Sequence, residues 1–380
     1  MSGRILVLGD CCAPPGETVA VDDALKAVIA GHDLTICVLE GPVQPQIRTS
    51  GPADKSGPRL CQDANTVAAL KSAGIGCFAL GNNHIADHGA AGIATTLESL
   101  PPSLGVGVGS DDQCALDACL VSVGGSRIAI FSACERQAGV LAPGERGPGC
   151  AWLCHPDLPH RIATARKEAD AVLLIAHAGV EEIDLPLPQW RDHYRRLVEA
   201  GCSAVIGSHP HVPLAHEYHH DSLIVHSLGN LYMPAGVTSP HPWWSKGMGV
   251  SLELGAGRGV SSWRPVATTF SPGRIGLGDQ LALELRLEGL GRILADSDAY
   301  REAIGICCED LWRERYRSHF IAMLGLDSRR ALVRQALGAI DATGDPVMAI
   351  HNLVIESHRW AVETAMRHRL RTRRVDPLST

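Results

Sequence analysis

The chain has 380 residues, of which 45% are hydrophobic and 20% are charged. This is a globular composition with enough apolar residues for a sizeable core. The formal net charge of −7 argues against nucleic acid or an anionic membrane as the main partner. No apolar run is long enough to span a bilayer, the amino terminus has no leader-like segment, and the 13 cysteines form no CxxC pairs. We therefore expect a cytoplasmic protein with reduced thiols and no membrane span.

Short apolar runs alternate with helical periodicity through the first two thirds of the chain. Strands are predicted at residues 5–8, 34–39, 77–80, 127–131, 171–176, 204–206, 223–225, 249–254 and 260–265. Helices are predicted at residues 21–30, 65–73, 90–100, 159–168 and 189–200. This alternation predicts a layered α/β sheet.

Three long segments rich in glycine and proline, at residues 41–59, 137–156 and 233–247, are predicted to be functional loops that follow strand ends. From residue 279 to residue 373 the pattern is mostly helical. We therefore predict an α/β domain at residues 1–275 and a helical appendage at residues 276–380.

Two histidines of the appendage, His351 and His358, lie two helical turns apart on one face, with Ile355 between them. This spacing indicates a structural helix face, because Ile355 is apolar. A second interpretation, in which the two imidazoles line a cleft above a site, stays open.

Polar residues cluster at the ends of the predicted strands, and this is the main evidence for function. Because the ends of parallel strands meet at one edge of a sheet, these side chains can converge. Carboxylate, amide and imidazole groups together form a ligand set for divalent transition metals. The residues concerned are Asp10, Glu40, Asn83, His84, His177, His209 and His211.

The segment His209-Pro210-His211 has a spacing that can bring two imidazoles to one site. Proline disfavours the helical conformation at the preceding residue, so we expect His209 to be extended. Alternate side chains of an extended segment point the same way, so both rings can face one metal pair. A single histidine of this kind is more simply a loop cap or a core residue. That explanation does not account for a whole set that follows the strand ends.

Six motifs resemble the ordered motifs of the CapA-like family, which is associated with poly-γ-glutamate capsules. They are GD at 9–10, LEGP at 39–42, NNHIADHG at 82–89, HAGVE at 177–181, GSHPHV at 207–212 and SLGN at 227–230. The resemblance places the chain in the calcineurin-like metallophosphatase superfamily. It implies a four-layer β-sandwich flanked by helices, here followed by the helical appendage.

The resemblance implies a centre with two divalent ions, Mn, Fe or Zn by ligand type. It assigns Asp10 and His211 to the first ion and Glu40 to a bridging position. The second ion would be held by Asn83, His177 and His209.

By the same resemblance, His84 is the catalytic acid. Asp87 and Glu181 are carboxylates that orient imidazoles. Cys12 stands where the superfamily often has a histidine. It could be a thiolate ligand, but a buried thiol is the favoured interpretation.

The third long loop contains candidates for substrate binding, namely the aromatic pair Trp243-Trp244 and Lys246. They would line a substrate pocket near the motif region. The alternative, that they only anchor the loop, stays open.

These observations predict a metal-dependent hydrolase that acts on a phosphoester or an amide of a small or polymeric, anionic substrate. An oligomer is not excluded, and nucleic acid is not expected as a partner. One alternative is a non-catalytic or assembly component of capsule polymer biosynthesis. Another is a structural protein with a vestigial metal site, although the ligand positions are intact.

Overall fold

The computed structural model of the chain describes residues 3–46, 51–52, 55–255, 259–318 and 346–373. Residue contacts divide the chain into two units. The first comprises Met1–Pro52 and Arg59–Arg292, and the second comprises Ala53–Pro58 and Ile293–Thr380. The predicted boundary after residue 275 stays a prediction.

Among the described residues, the first unit contains eighteen strands, which we number in chain order. The strands β1 to β9 are Arg4–Cys11, Ala20–Val21, Leu34–Leu39, Cys77–Ala79, Gly105–Val106, Val108–Asp111, Cys119–Val123, Ser126–Cys134 and Val140–Leu141. The strands β10 to β18 are Arg146–Ala151, Ala171–His177, Ala204–Ser208, His216–His219, Ser222–Val225, Asn230–Tyr232, Lys246–Leu254, Val260–Ser271 and Arg274–Leu277.

The described helices are distributed over both units. The helices α1 to α6 are Asp23–Ala30, Ala64–Ser72, Gly89–Ser99, Asp112–Ala115, Leu158–Glu168 and Pro188–Ala200. The helices α7 to α10 are Gln280–Ala295, Ser297–Leu311, Pro346–Val354 and Glu356–Arg373, with a π-helical turn at Trp312–Tyr316. In the part of the chain that the structure describes, no helix combines the length and apolarity needed to cross a membrane.

Two large sheets form the frame of the first unit. One has nine strands in the order β2-β18-β17-β16-β1-β3-β4-β5, with β15 also paired to β1. The other has six strands in the order β13-β14-β12-β11-β8-β7, and a small third sheet has the order β6-β10-β9. The α/β class and the helical character of the described carboxyl-terminal segments are therefore confirmed.

The alternation of side chains along β1 explains how the layers pack. Ile5 and Val7 point into a core that they share with Ile130 of β8 and Leu173 of β11, so this core lies between the two large sheets. Leu6 and the side chains that alternate with Ile5 and Val7 face the opposite way, into a second core formed with α1, α2 and α3. Helices α5 and α6 pack on strands of the six-stranded sheet. The order helices, sheet, sheet, helices is the predicted four-layer arrangement.

Each large sheet has a parallel section. The strands β1, β3, β4 and β5 are parallel neighbours in one sheet, and β8, β11, β12 and β14 are parallel neighbours in the other. The carboxyl ends within each section therefore lie at one edge, where side chains from neighbouring strands can meet.

Two local predictions are wrong. The segment 137–156, predicted as a loop, contains β9 and β10, which pair with each other. Gly149 allows this close approach, because a Cβ atom there would lie 2.7 Å from the side chain of Leu141.

The helix predicted to start at residue 21 starts at Asp23, because the side chain of Asp22 caps it by accepting a hydrogen bond from the backbone N–H of Leu25.

The described helices of the second unit pack through α8 and α10. The imidazole of His368 pairs with the carboxylate of Glu309. The rings of His351 and His358 lie 5.0 Å apart, and Nδ1 of His358 lies 3.1 Å from the amide oxygen of Asn352. His351 belongs to α9 and His358 to α10, so the prediction that both lie on one face of a single helix is wrong, although the two rings still contact each other.

Candidate metal centre

The strand ends bring together two groups of potential metal ligands that share one residue. Asp10, Glu40 and His211 form one group, and Glu40, His177 and His209 form the other, with the ligand atoms of each group within 4.8 Å of one another. Asp10 lies near the end of β1, Glu40 follows β3, and the histidines belong to or follow β11 and β12. The side chains that were expected to converge therefore do so, but at the strand ends of two sheets and not at one sheet edge, because β1 and β3 belong to the nine-stranded sheet and β11 and β12 to the six-stranded sheet.

Asp10 is fully buried and lies between two imidazoles. Its Oδ2 accepts a hydrogen bond from the backbone N–H of His209 at 3.0 Å and lies 3.7 Å from Nδ1 of His211. Its Oδ1 lies 3.7 Å from Nδ1 of His177 and has no hydrogen-bond partner among the described residues. Burial and the nearby carboxylate of Glu40 raise the pKa of Asp10 to about 7.

Glu40 occupies the centre of the cluster. Its Oε1 lies 3.8 Å from Nε2 of His177, 3.9 Å from Nε2 of His211 and 4.0 Å from Nε2 of His84. Two buried carboxylates this close to one another repel, and a bound cation would compensate their charge. A central carboxylate within reach of both groups is the arrangement expected of a bridging ligand.

Asn83 reaches the same centre from the segment after β4. Its Oδ1 lies 2.9 Å from Nε2 of His177, while Nδ1 of that ring lies 2.9 Å from the hydroxyl of Ser208. The amide side chain of Asn82 supports this segment: it donates to the carbonyl of Leu39 at 2.8 Å and accepts from the N–H of His84 at 3.1 Å. Asn83 is thus presented to the cluster by a fixed turn.

The backbone around Pro210 differs from the prediction. His209 has φ +95° and His211 has φ +61°, so the expected extended conformation of His209 is wrong. Proline restricts the preceding residue but does not force it into the β region, and the hydrogen bond from the N–H of His209 to Asp10 holds this left-handed backbone. Such conformations cost about 1–3 kcal/mol each and concentrate at functional sites. The two rings nevertheless converge, with centroids 5.9 Å apart.

His84 and Asp87 form a pair beside the cluster. Nδ1 of His84 lies 2.7 Å from Oδ2 of Asp87, and the same oxygen accepts a hydrogen bond from the backbone N–H of Leu60 at 2.7 Å. The other ring nitrogen faces Glu40 at 4.0 Å. Asp87 therefore orients His84 with its Nε2 towards the candidate ligands.

The residues of the cluster differ slightly in exposure. Asp10 and Glu40 are 0% and 1% exposed, whereas His84 and His211 each keep 8% of their surface accessible. The two carboxylates are thus the more deeply buried groups, and the candidate acid keeps slightly more accessible surface.

Glu181 and Cys12 lie close to this centre in different environments. The exposed carboxylate of Glu181 forms a group with the imidazoles of His209 and His211, with ligand atoms within 4.8 Å. Cys12 is buried, and burial, followed by the charge of Glu40, raises the pKa of its thiol well above the ordinary value. This environment favours a protonated, buried thiol.

Two of the candidate substrate-binding residues, Trp243 and Lys246, lie against each other. The ammonium group of Lys246 is 5.2 Å from the ring centroid of Trp243, and the guanidinium carbon of Arg286 is 4.8 Å from it. The neighbouring Trp244 lies against the cluster itself, with its ring 5.4 Å from that of His211. The substrate-binding roles of Trp243, Trp244 and Lys246 stay predictions.

Three more polar residues of this edge were missed. Asn230 places its Oδ1 2.8 Å from Nδ1 of His211. Gln62 donates from its amide to the carbonyl oxygens of Cys11 and Glu40, at 2.7 and 2.6 Å. Glu135, which follows β8, is 0% exposed and lies 3.6 Å from Nε2 of His209. Asn230 lies within the SLGN motif and Glu135 lies at a strand end, so both residues could have been identified as site candidates from the sequence.

A separate group of potential ligands lies away from the strand ends. Glu199, His219 and His220 bring their ligand atoms within 4.8 Å of one another, but two of the three are exposed. The strand-end cluster differs in its burial, its shared carboxylate and the unpartnered Oδ1 of Asp10 among the described residues. These features fit divalent metal ions, and the residues present offer three or more groups to each of two positions.

The comparisons with known proteins agree on one family. A sequence model described as "Bacterial capsule synthesis protein PGA_cap" matches residues 17–235. "Capsule biosynthesis protein CapA" of Bacillus anthracis is 30% identical over 186 residues, which cover 47% of this chain and 45% of that protein. "PGA biosynthesis protein CapA" of Bacillus subtilis (strain 168) is 28% identical over 218 residues, covering 56% of this chain and 57% of that protein. The chain thus spans about half the length of these relatives.

Similar solved structures include one described as a 5'-nucleotidase precursor from Thermus thermophilus, at TM-score 0.43 and 15% identity, covering 78% of this chain and 59% of that one. Another is a hypothetical protein from the same organism, at TM-score 0.42 and 18% identity, covering 70% of this chain and 100% of that one. The family match includes every clustered residue except Asp10. The chain belongs to the bacterial capsule synthesis protein family described as PGA_cap, the CapA-like family.

Proposed function

We propose that this chain is a metal-dependent hydrolase that cleaves a phosphoester or an amide. One observation carries the proposal: two groups of buried ligands share Glu40, beside the oriented pair of His84 and Asp87. A protein that only binds a partner has no need of an oriented general acid next to such a cluster. The combination is what hydrolysis by bound metal requires.

The residues divide naturally over two positions. Asp10 and His211 would hold one ion, and His177 and His209, with the amide oxygen of Asn83, would hold the other. Glu40 would contact both. When bound, such ions activate water at neutral pH and stabilise negative charge on the group under attack. The ligand set suits Mn, Fe or Zn.

His84 would act as the general acid. The carboxylate of Asp87 holds Nδ1, so Nε2 is the nitrogen that carries a proton towards the substrate. Asp87 also compensates the positive charge that the ring has when both nitrogens are protonated. The leaving oxygen or nitrogen of the substrate would take that proton as its bond to phosphorus or carbon breaks.

The substrate is predicted to be anionic, small or polymeric. The chain as a whole is acidic, so attraction would come from the bound ions and from local cations such as Lys246 and Arg286. The predicted cytoplasmic location and the absence of a nucleic-acid partner also stay predictions.

The names of the relatives favour a second candidate function. Both are described as proteins of capsule or PGA biosynthesis, so this chain could be a component of polymer synthesis that does not itself cleave bonds. The arrangement of His84 and Asp87 favours the hydrolase, because a protein that acts only in assembly does not need an oriented general acid.

The test is an activity panel with the purified full chain. Wild-type protein would be stripped with a chelator, reloaded with Mn²⁺, and assayed on phosphomonoesters, phosphodiesters and γ-glutamyl amides. We expect turnover on at least one class that disappears with chelation and returns with Mn²⁺. Retained metal without any turnover across the panel would instead support the assembly role.

A further inference from the structure

Glu135 is a buried carboxylate that the proposed mechanism does not use. It follows Cys134, the last residue of β8, and is 0% exposed. Glu135 therefore adds another buried carboxylate beside the cluster that contains Asp10 and Glu40, at a strand end of the six-stranded sheet. A buried carboxylate is costly unless its surroundings compensate it.

The contacts of Glu135 connect two histidine-bearing segments. Its Oε1 accepts a hydrogen bond from the backbone N–H of Gly179 at 3.2 Å and lies 3.6 Å from Nε2 of His209. Its backbone N–H donates to the carbonyl of His177 at 3.0 Å. One residue thus touches the segments that carry both histidines of the second ligand group.

The position of the carboxylate bears on which ring nitrogen of His209 can bind an ion. A neutral imidazole has one N–H and one lone pair, and the nitrogen that faces a carboxylate carries the hydrogen. With Nε2 facing Glu135, Nδ1 keeps its lone pair. Carboxylates placed in this way fix the tautomer and the orientation of metal-binding histidines.

We propose that Glu135 is a positioning residue that holds His209 with its hydrogen on Nε2 and thereby sets the affinity of the ion bound by His177 and His209. This inference rests on the proposed metal centre. Glu135 touches neither substrate nor ion in this account, and it acts through the imidazole.

A purely structural role would have different consequences. In that case the carboxylate would serve only as an acceptor for Gly179, a task that the amide oxygen of glutamine can also perform. Glu135→Gln therefore keeps the shape and the hydrogen bond to Gly179 and removes the charge that fixes the tautomer. Glu135→Asp keeps the charge on a shorter side chain.

A matched control is available at Asp112. This carboxylate is also buried beside an imidazole, with Oδ2 3.3 Å from Nε2 of His155 and 2.9 Å from the N–H of Gly144. It belongs to none of the ligand groups formed by the described residues. Asp112→Asn thus reports what the loss of any buried carboxylate–imidazole pair does to this fold.

The experiment is a calorimetric titration of the metal-free full chain with Mn²⁺, together with thermal unfolding before Mn²⁺ is added. We expect Glu135→Gln to weaken one of the two Mn²⁺ binding events by about 10- to 100-fold, with Glu135→Asp weakened less. We expect the metal-free melting temperature of Glu135→Gln to be unchanged or higher, because a buried charge is gone. Asp112→Asn should leave both Mn²⁺ affinities unchanged.

Three results would overturn the inference. Equal Mn²⁺ affinities for Glu135→Gln and the wild type would show that Glu135 does not act through His209. A fall in metal-free melting temperature for both Glu135 variants, with Mn²⁺ affinity intact, would assign the residue a structural role. If the wild type itself binds no Mn²⁺, the proposed function fails and this inference fails with it, an outcome that the wild-type titration alone reveals.

Discussion

Two clusters of charge in the first unit, a partly buried one around Glu217 and the buried one at the strand ends, compensate their carboxylates in different ways. Around Glu217, the chain provides its own cations: Arg191 donates to both carboxylate oxygens, at 2.9 and 2.7 Å, and Arg195 pairs with the same group. At the strand ends, carboxylate oxygens of Asp10 and Glu40 instead lie 3.7 to 4.0 Å from imidazole nitrogens of His84, His177 and His211.

The carboxyl groups respond in opposite directions. Burial alone would raise the pKa of Glu217, but hydrogen bonds from Arg191 and His226 outweigh it and hold that pKa well below its ordinary value. At the strand ends, burial and the charge of Glu40 raise the pKa of Asp10 to about 7. The charge of Glu217 is compensated by arginines of the chain itself. The raised pKa of Asp10 instead fits a site at which bound cations would compensate the carboxylates.

The largest expected effect comes from removing the shared carboxylate. Glu40→Gln should reduce bound metal from about two ions per chain to less than one and lower hydrolysis by more than about 10²-fold, since both ligand groups lose a member. Elemental analysis of protein reloaded with Mn²⁺ measures this. Glu217→Gln, the same change in the other cluster, should keep its metal. Equal metal loss in both variants would mean that the two clusters do not differ as described.

A second substitution separates catalysis from metal binding within the strand-end region. His84→Ala should keep its metal but lose about 10²- to 10⁴-fold in turnover, as expected for loss of a general acid. A nitrophenyl leaving group, which departs without protonation, should restore part of the rate. Comparison of kcat on nitrophenyl and alkyl esters measures the effect, and equal losses on both would remove His84 from the acid role.

The third prediction concerns stability rather than activity. Glu217→Gln should lower the free energy of unfolding by about 1.5–3 kcal/mol at pH 7, because charged hydrogen bonds from Arg191 and Arg195 are lost. Glu217 has a folded pKa below its ordinary 4.5, so its charge stabilises the fold fully above pH 4.5. That contribution disappears as the pH falls through the folded pKa. Denaturant unfolding at several pH values should therefore show that the difference in free energy of unfolding between Glu217→Gln and the wild type becomes smaller in acid. A difference that grows in acid would contradict this prediction.

Much of the candidate site could be predicted because strand ends are readable in the sequence. Asp10, Glu40 and His177 each stop an apolar run. Parallel pairing brings Asp10 and Glu40 to the edge of one large sheet and His177 to the edge of the other. The four layers follow from the same pattern, since the alternation along β1 provides one buried face for each core.

The remaining features depend on tertiary contacts. The predicted strand before Glu135 ended at Phe131, whereas β8 continues to Cys134 through pairing with β11, and the residue was missed for that reason. The left-handed backbone of His209 is held by a hydrogen bond to Asp10, 199 residues away in the chain. Local sequence propensity predicts neither the pairing of β8 with β11 nor the hydrogen bond between His209 and Asp10.

We propose that the strand ends hold two metal ions around Glu40. Anomalous X-ray diffraction from crystals of the Mn²⁺-loaded protein tests it most directly. We expect two Mn²⁺ peaks that both contact Glu40, one also bound by Asp10 and His211 and the other by His177 and His209. An empty cluster, or Mn²⁺ bound only at the exposed group of Glu199, His219 and His220, would contradict it.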